Sequence, residues 1–313
     1  MIPVGEPAID RIGVLGVGRM GLPIATRLAV AVPVRVYDLD PAAIRAARVA
    51  GLDVVADAPT LAADVDVIIA VLPGPVELES AMSGPDGLLA SMPPGACWLD
   101  LTSGDPRISE RLAAEAADRN VASIAAPMIG GVAAARDGSL RFVVGGEAAV
   151  LDRVRPILAL LGPAAGIDHV GTSVGAGQTA KLLGNLLWFG QVVAVTEALL
   201  LGQRLGLAPQ VLRGTLAAGP GGSAFIDQHL DALLHGDYLT DFGIDRCLEE
   251  LQTLQSLAAI AGVPWELSST VTRLHAEALD RFGPVGGELL AAKLLEERAS
   301  AILRAAGDGG LGT

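Results

Sequence analysis

From Gly175 to Leu205 the chain runs as GAGQTAKLLGNLLWFGQVVAVTEALLLGQRL, without one proline. Its helix formers predict a single helix over about 175–205, a rod of roughly 45 Å at about 1.5 Å per residue. A rod of that length spans a whole domain, so the other elements have to be arranged around it.

Its polar residues are sparse. Gln178, Lys181 and Asn185 stand at i, i+3 and i+7 and so share one helix face, flanked by Leu182, Leu183, Leu186, Leu187 and Trp188. Lys181 and Lys293 are the chain's two lysines, and the rest of its twenty-two basic residues are arginines. Lysine differs from arginine in that burial readily lowers its pKa, which suits it to exchanging protons near neutrality. The plain alternative is a lysine that lays its stem along a core helix and lifts its ammonium into water. Residues 182–202 could also cross a bilayer by length alone. Asn185, Gln191, Thr196 and Glu197 lie inside that segment, however, and a charge near the bilayer centre costs about 2.5 kcal/mol or more. A core or subunit-interface helix fits better, and no membrane is expected as a partner.

The chain has 313 residues, long enough for two cores, and its 51% hydrophobic and 3% aromatic content is that of an α/β or α-rich soluble protein. A net charge of −13 excludes nucleic acid as a partner, because phosphate binding needs clustered cations. Cys97 and Cys247 stand far apart, and neither they nor His169, His229, His235 and His275 show metal-ligand spacing. Reduced thiols in a cytoplasm, mostly surface histidines and no metal are expected. The opening MIPVGEPAID lacks the basic start and apolar run of a signal peptide.

Residues 11–16, RIGVLG, read as a strand, and Leu22–Val30 has helical periodicity. Between them Gly16-Val17-Gly18-Arg19-Met20-Gly21 is a GxGxxG at a strand-to-helix junction, the context a dinucleotide pyrophosphate needs. A second strand, Val34–Tyr37, ends in Asp38, at the spacing of the acid that accepts hydrogen bonds from the adenosine ribose and repels a 2′-phosphate. Asp40, ahead of Pro41, is the better helix N-cap, which leaves Asp38 for the ribose. The cofactor expected is NAD, with NADP the less favoured form.

Helix and strand then alternate through residues 41–50, 54–55, 65–71, 88–89, 97–101, 106–119 and 121–125. The runs 65–71 and 97–101 are continuously apolar, as buried parallel strands are. A doubly wound sheet follows, with Leu72-Pro73-Gly74-Pro75 and Thr102-Ser103-Gly104 at its carboxyl edge, where ligands bind. After Ala126-Pro127-Met128-Ile129, Gly130 and Gly131 either offer bare N–H groups to an anion or carbonyl oxygen, or form a plain turn. Residues 140–146 read as a further strand. Beyond 171 the alternation stops, and helices are expected over 208–217, 225–234, 242–261, 265–279 and 285–306, with connections at 219–222 and 235–237 and a mobile tail from 307. The fold class is α/β: a Rossmann doubly wound domain over 1–171, then an all-α domain over 172–313, joined by the long helix.

Five motifs in order resemble those of the β-hydroxyacid dehydrogenases, a family that includes 3-hydroxyisobutyrate dehydrogenase and is related to imine reductases. Gly16–Gly21 with Met20 is similar to the opening GLGxMG. Leu72-Pro73 matches the LP after the fourth strand, Asp100-Leu101-Thr102-Ser103 the D-x-S-T segment, and Ala125–Gly131 the DAPVSGG. His169-Val170-Gly171 through Gly175, Gly177, Lys181 and Asn185 match HVGxxGxGxxxKxxxN. The resemblance covers nearly the whole chain. It implies hydride transfer between nicotinamide and an alcohol carbon, with Lys181, Asn185 and Ser103 catalytic. Lys181 would relay the hydroxyl proton, Asn185 orient the hydroxyl or the lysine, and Ser103 lie near the nicotinamide carboxamide. It further implies cofactor contacts from Gly16, Gly18, Arg19, Met20, Gly21, Asp38, Leu72 and Pro73, and substrate contacts from Met128, Ile129, Gly130 and Gly131. Separately, apolar residues cover nearly the whole circumference of the 175–205 rod, more than one small helical domain can shield, so a homodimer or higher oligomer is expected.

Two departures stand out: Ile129 replaces the family serine, and Glu249-Glu250-Leu251 replaces KDL. With no hydroxyl at 129 and a repelling Glu249, the substrate is expected to be a β-hydroxy compound whose far end is not a small bare carboxylate. The retained lysine favours an alcohol dehydrogenase over an imine reductase. Lys181 with Asn185 also speaks against a non-catalytic NAD-binding protein, and neither GxSxG nor GxxxxGK[ST] occurs.

Overall fold

The computed structural model describes Ile9 and residues 11–305, so the expected tail from 307 lies outside the described residues. Contacts divide the chain into two compact units, up to Lys181 and from Leu182 onward.

The first unit is built on a nine-stranded sheet: β1 Ile12–Leu15, β2 Val34–Tyr37, β3 Asp53–Val54, β4 Val67–Ala70, β5 Cys97–Asp100, β6 Ala122–Ala125, β7 Met128–Ile129, β8 Arg141–Gly145 and β9 Ile167–Gly171. Its order is β3-β2-β1-β4-β5-β6-β8-β7, with β9 paired to β8. The six strands from β3 to β6 are parallel, in the doubly wound 3-2-1-4-5-6 arrangement whose direction reverses between β1 and β4. Strands β1, β4 and β5 are buried throughout, as their apolar runs foretell. The sheet does not stop at a purely parallel body, because β8 runs antiparallel to β6 and β7.

The sequence reading passes over the helices Pro75–Met82, Gly131–Asp137 and Ala148–Leu161. Proline starts the first, two glycines lead into the second, and the third carries Pro156 inside it, so local punctuation hides all three. Packing overrides it: Leu78 and Met82 fill one apolar cluster, and Leu151, Val154 and Leu158 fill the other.

The long helix is Val174–Arg204. The expected boundary at 171 differs from the division at Lys181, because the first turns of this helix pack on the sheet of the first unit. A Cβ on Gly177 would lie 2.6 Å from the Val143 carbonyl and 2.7 Å from the Gly145 nitrogen, and one on Gly175 would lie 2.7 Å from Glu110 Oε1. Only glycine lets the helix come this close, which explains two glycines that mere helix propensity disfavours.

The second unit is all helical apart from its connections: Pro209–Ala218, Ala224–Gln228, Leu230–Leu234, Ile244–Ala261, Glu266–Phe282 and Leu290–Ala299 follow the long helix. The single helix expected over 225–234 is broken at His229. The one expected over 285–306 is shorter at both ends: Ile244 N–H bonds the Val285 carbonyl, and Ser300 turns left-handed at φ 45°. Phe189, Val192 and Leu199 of the long helix supply much of this unit's core. His275 is fully buried there, an exception to the expected surface histidines.

Candidate active site

The glycine-rich loop leaves β1 with its three glycines doing different work. Gly16 has φ +88°, and a Cβ there would meet the Val71 carbonyl at 2.3 Å. A Cβ on Gly21 would sit 1.9 Å from the Gly16 carbonyl oxygen, so the turn and the helix Gly21–Leu28 require both residues bare. Nothing lies within 4 Å of a Cβ on Gly18, whose backbone is exposed beside the exposed Arg19 and half-buried Met20. Two glycines therefore build the loop and the third leaves room for an incoming phosphate.

Asp38 closes this site from the end of β2. Its carboxylate accepts the Val17 N–H at 2.7 Å and the Asp40 N–H at 2.8 Å, while Asp40 caps the next helix through the Ala42 N–H. Each Asp38 oxygen keeps a free lone pair for a ribose hydroxyl. Arg35 turns toward Asp53 of β3, at 3.9 Å, and not toward Asp38. This cradle fits a dinucleotide.

At the carboxyl ends of β4 and β5 a second set of groups converges. Asp100 is fully buried, and burial pushes its carboxyl up to about 7 against the hydrogen bonds that Thr102 and Gln178 donate to it. The Thr102 N–H bonds Asp100 Oδ1 at 3.0 Å, and the Leu72 N–H bonds the Thr102 hydroxyl oxygen at 3.1 Å. Leu72, Pro73 and half-buried Ser103 are thereby held at the switch point beside the glycine loop. The sequence reading places Gln178 on a stripe with Lys181 and Asn185. The structure buries it completely, its amide inside the 102–104 loop.

Met128 is half-buried and Ile129 43% exposed on β7, opposite Phe142 and Arg141. Gly130 and Gly131 follow with φ +126° and +66°, and space is open around Gly131.

Lys181 is half-buried on the long helix, one turn beyond Gly177. Asn185, one turn further, belongs to the second unit, where its amide donates to Glu250 Oε2 at 2.6 Å. Glu250 is itself 7% exposed. The sequence pattern expects Glu249 to repel an anion. In the structure Glu249 pairs with Arg246 one turn earlier, at 2.9 Å, which offsets its charge. The EEL triplet was the signal, and its second acid, not its first, reaches Asn185.

Among the described residues no group of three or more His, Cys, Asp or Glu side chains could hold a metal ion. Cys97 and Cys247 are free and buried, and burial pushes Cys97 up to about 12.

A doubly wound sheet, an open glycine loop and an acid closing the ribose end define a dinucleotide-binding domain. Residues 11–175 match the family described as NAD binding domain of 6-phosphogluconate dehydrogenase, and residues 175–294 match NAD-binding of NADP-dependent 3-hydroxyisobutyrate dehydrogenase. The chain belongs to the β-hydroxyacid dehydrogenase family. It is 35% identical to the NAD-dependent L-serine dehydrogenase of Pseudomonas aeruginosa over 69% of this chain and 72% of that one. It is 29% identical to the 2-(hydroxymethyl)glutarate dehydrogenase of Eubacterium barkeri, over 84% and 87%. The solved 3-hydroxyisobutyrate dehydrogenase of Mycobacterium tuberculosis with L-serine superposes with a TM-score of 0.82 at 26% identity, covering 92% of this chain and 99% of that one. An imine reductase from Myxococcus stipitatus, at 16% identity, covering 92% and 100%, and a TM-score of 0.63, shares the fold alone. The protein is an NAD(P)-dependent oxidoreductase acting on CH–OH groups of hydroxy acids or related compounds. Among the described residues the long helix is long and apolar enough to cross a bilayer, but it is the interdomain helix of this fold.

Proposed function

We propose that Lys181 is the proton relay of this dehydrogenase and that NAD is its cofactor. The observation that carries the reading is the docking of the long helix. Gly177 packs on the backbone of Val143, Gly145 and Ala125 at the carboxyl edge of β6, and Lys181 follows one turn later on the same helix, which supports a role at that edge of the sheet. The nicotinamide, when bound, supplies the hydride acceptor or donor. Lys181 takes the hydroxyl proton as the alcohol carbon gives up its hydride, and returns it in the reverse direction. Asn185, its amide held by Glu250, orients the hydroxyl or the lysine. Ser103 contacts the carboxamide, and Met128, Ile129, Gly130 and Gly131 face the far end of the substrate. NAD is favoured over NADP because Asp38 stands where a 2′-phosphate would fall. The substrate is a β-hydroxy compound; Ile129 still disfavours a small bare carboxylate, whereas the argument from Glu249 falls away with its Arg246 partner. A cytoplasmic location suits these reduced thiols and this cofactor.

The test is steady-state assay of NADH formation from 3-hydroxyisobutyrate, its methyl ester and L-serine, with Lys181→Met and Lys293→Met alongside the wild type. Lys293 lies over the Tyr238 and Phe282 rings in the second unit and serves packing there. Lys181→Met should retain NADH binding and lose turnover by ~100-fold or more, the scale of a positioned acid–base group, while Lys293→Met stays near wild type. A Lys181→Met enzyme that keeps most of its activity returns this residue to the surface-reaching class. A free acid preferred over the ester by tenfold or more overturns the reading of Ile129.

A further inference from the structure

Gln178 lies three residues before Lys181, and all of its hydrogen-bonding capacity but one is spent within the first unit. Its amide nitrogen donates to the Thr102 carbonyl at 2.7 Å and to Asp100 Oδ2 at 3.2 Å, and its amide oxygen accepts the Gly104 N–H at 2.9 Å. One buried side chain thus grips the backbone on both sides of Ser103. The loop it grips is fixed elsewhere too, through the Thr102 hydroxyl on the Leu72 N–H and the Asp100 carboxylate on the Thr102 N–H. The helix around Gln178 is equally constrained, with Gly177 on β8 and the Gly175 N–H on Glu110 at 3.2 Å.

We infer that Gln178 is a positioning residue for hydride and proton transfer: it bolts the turn that carries Lys181 to the loop that carries Ser103, and so sets the distance between the two groups. The inference rests on the reading of Lys181 as proton relay. A primary amide is the group this position calls for, because the two carbonyl-type oxygens need donors and the Gly104 N–H needs an acceptor. A carboxylate of the same shape would meet Asp100 as a second anion unless the pair shared a proton. An apolar side chain would leave a buried carbonyl, a buried N–H and a buried carboxyl without this partner.

The experiment compares wild type, Gln178→Leu, Gln178→Glu and Lys181→Met for NADH binding by fluorescence, for kcat and KM, and for the pH profile of kcat. A misplacement on the order of 1 Å costs about a hundredfold in rate, so Gln178→Leu should lower kcat by roughly ten- to a hundredfold. Its KM and NADH affinity should stay within about threefold of wild type. Gln178→Glu should recover activity as the pH is lowered from 8 to 6, when a proton shared with Asp100 restores a donor, a profile that general loosening of the fold does not produce. Gln178→Leu with normal kcat beside an inactive Lys181→Met overturns this inference alone. A fully active Lys181→Met overturns the relay reading and this inference with it. If Gln178→Leu loses NADH binding, Gln178→Glu decides: acid recovery supports the bolt, and a pH profile parallel to wild type removes it.

Discussion

Asp38 and His275 show how far single side chains here are defined by their surroundings. Asp38 is held by two backbone N–H groups, one from the glycine loop and one from Asp40, so it cannot swing away from a 2′-phosphate. NADH is therefore expected to bind at least tenfold more tightly than NADPH, a difference of about 1.4 kcal/mol and a modest demand on one misplaced charge. Fluorescence titration with both cofactors measures it, and tighter NADPH binding reverses the assignment. His275 donates to the Val271 carbonyl at 2.8 Å and packs on Phe189, and burial lowers its pKa from 6.5 to about 4. The fold holds it neutral while the unfolded chain takes up a proton below about 6.5, so its contribution to stability is present above that pH and is lost as the pH falls toward 4. Asp100 works in the opposite sense over nearly the same range, because its raised pKa favours the protonated form in the fold. Denaturant melts of wild type and His275→Leu from pH 7 to 4 separate the two: the stability of the variant should fall less steeply with acid, and equal slopes would show that His275 titrates normally.

At the scale of elements, the first turns of the long helix are tightly constrained by the backbone they pack on. A methyl at Gly177 would press on three backbone atoms of β6 and β8 at 2.6 to 3.2 Å, none of which can yield as a side-chain tip can. Gly177→Ala is expected to cost about 1–3 kcal/mol of stability, the usual range for overpacking, and to reduce turnover because the helix start shifts with Lys181 on it. Gly214 makes the contrast: it is exposed inside the helix Pro209–Ala218 with nothing within 4 Å of its added methyl. There the same change should stabilise by about 0.5–1 kcal/mol, since only backbone entropy is altered. Thermal melts of the two variants should move in opposite directions, and a stabilised Gly177→Ala would mean that the helix does not seat on the sheet in this way.

For the whole molecule, the long helix leaves one face uncovered in the second unit. Leu183, Leu187, Leu201 and Leu205 are 47 to 73% exposed and, with the exposed Ala194 and Ala198, recur at steps of three, four or seven residues along one stripe, edged by the exposed Glu197. Water on exposed leucines so aligned is unfavourable, and a second copy of the chain, which brings an identical stripe, is the partner expected for it. Light scattering at micromolar concentration should therefore give a multiple of the 31.8 kDa chain mass, and Leu187→Glu should shift it toward the monomer. A monomeric wild type would show that the stripe serves something else.

What the sequence determined by itself is whatever depends on near neighbours along the chain. The three glycines with Asp38 one strand later, the buried parallel strands and the proline-free rod are each written within a few tens of residues, and each reappears at its place in the fold. Ser103, Lys181 and Asn185 are singled out by the sequence for the same reason, as members of ordered local motifs, and the roles proposed for them await the kinetic tests. The tertiary structure alone decided what depends on residues distant in sequence. It took Gln178 out of the polar stripe and buried it against Asp100, seventy-eight positions away. It gave Asn185 to Glu250 and turned Glu249 to Arg246, although the two acids are adjacent. It also made helices of segments whose prolines and glycines argue locally against them, because burying Leu78, Leu151 and Leu158 along with their neighbours outweighs a propensity cost of about 1 kcal/mol at a glycine and about 3 kcal/mol at Pro156 inside its helix. A helix period tells which residues share a face, but the partner that face will meet is chosen only when the sheet is in place.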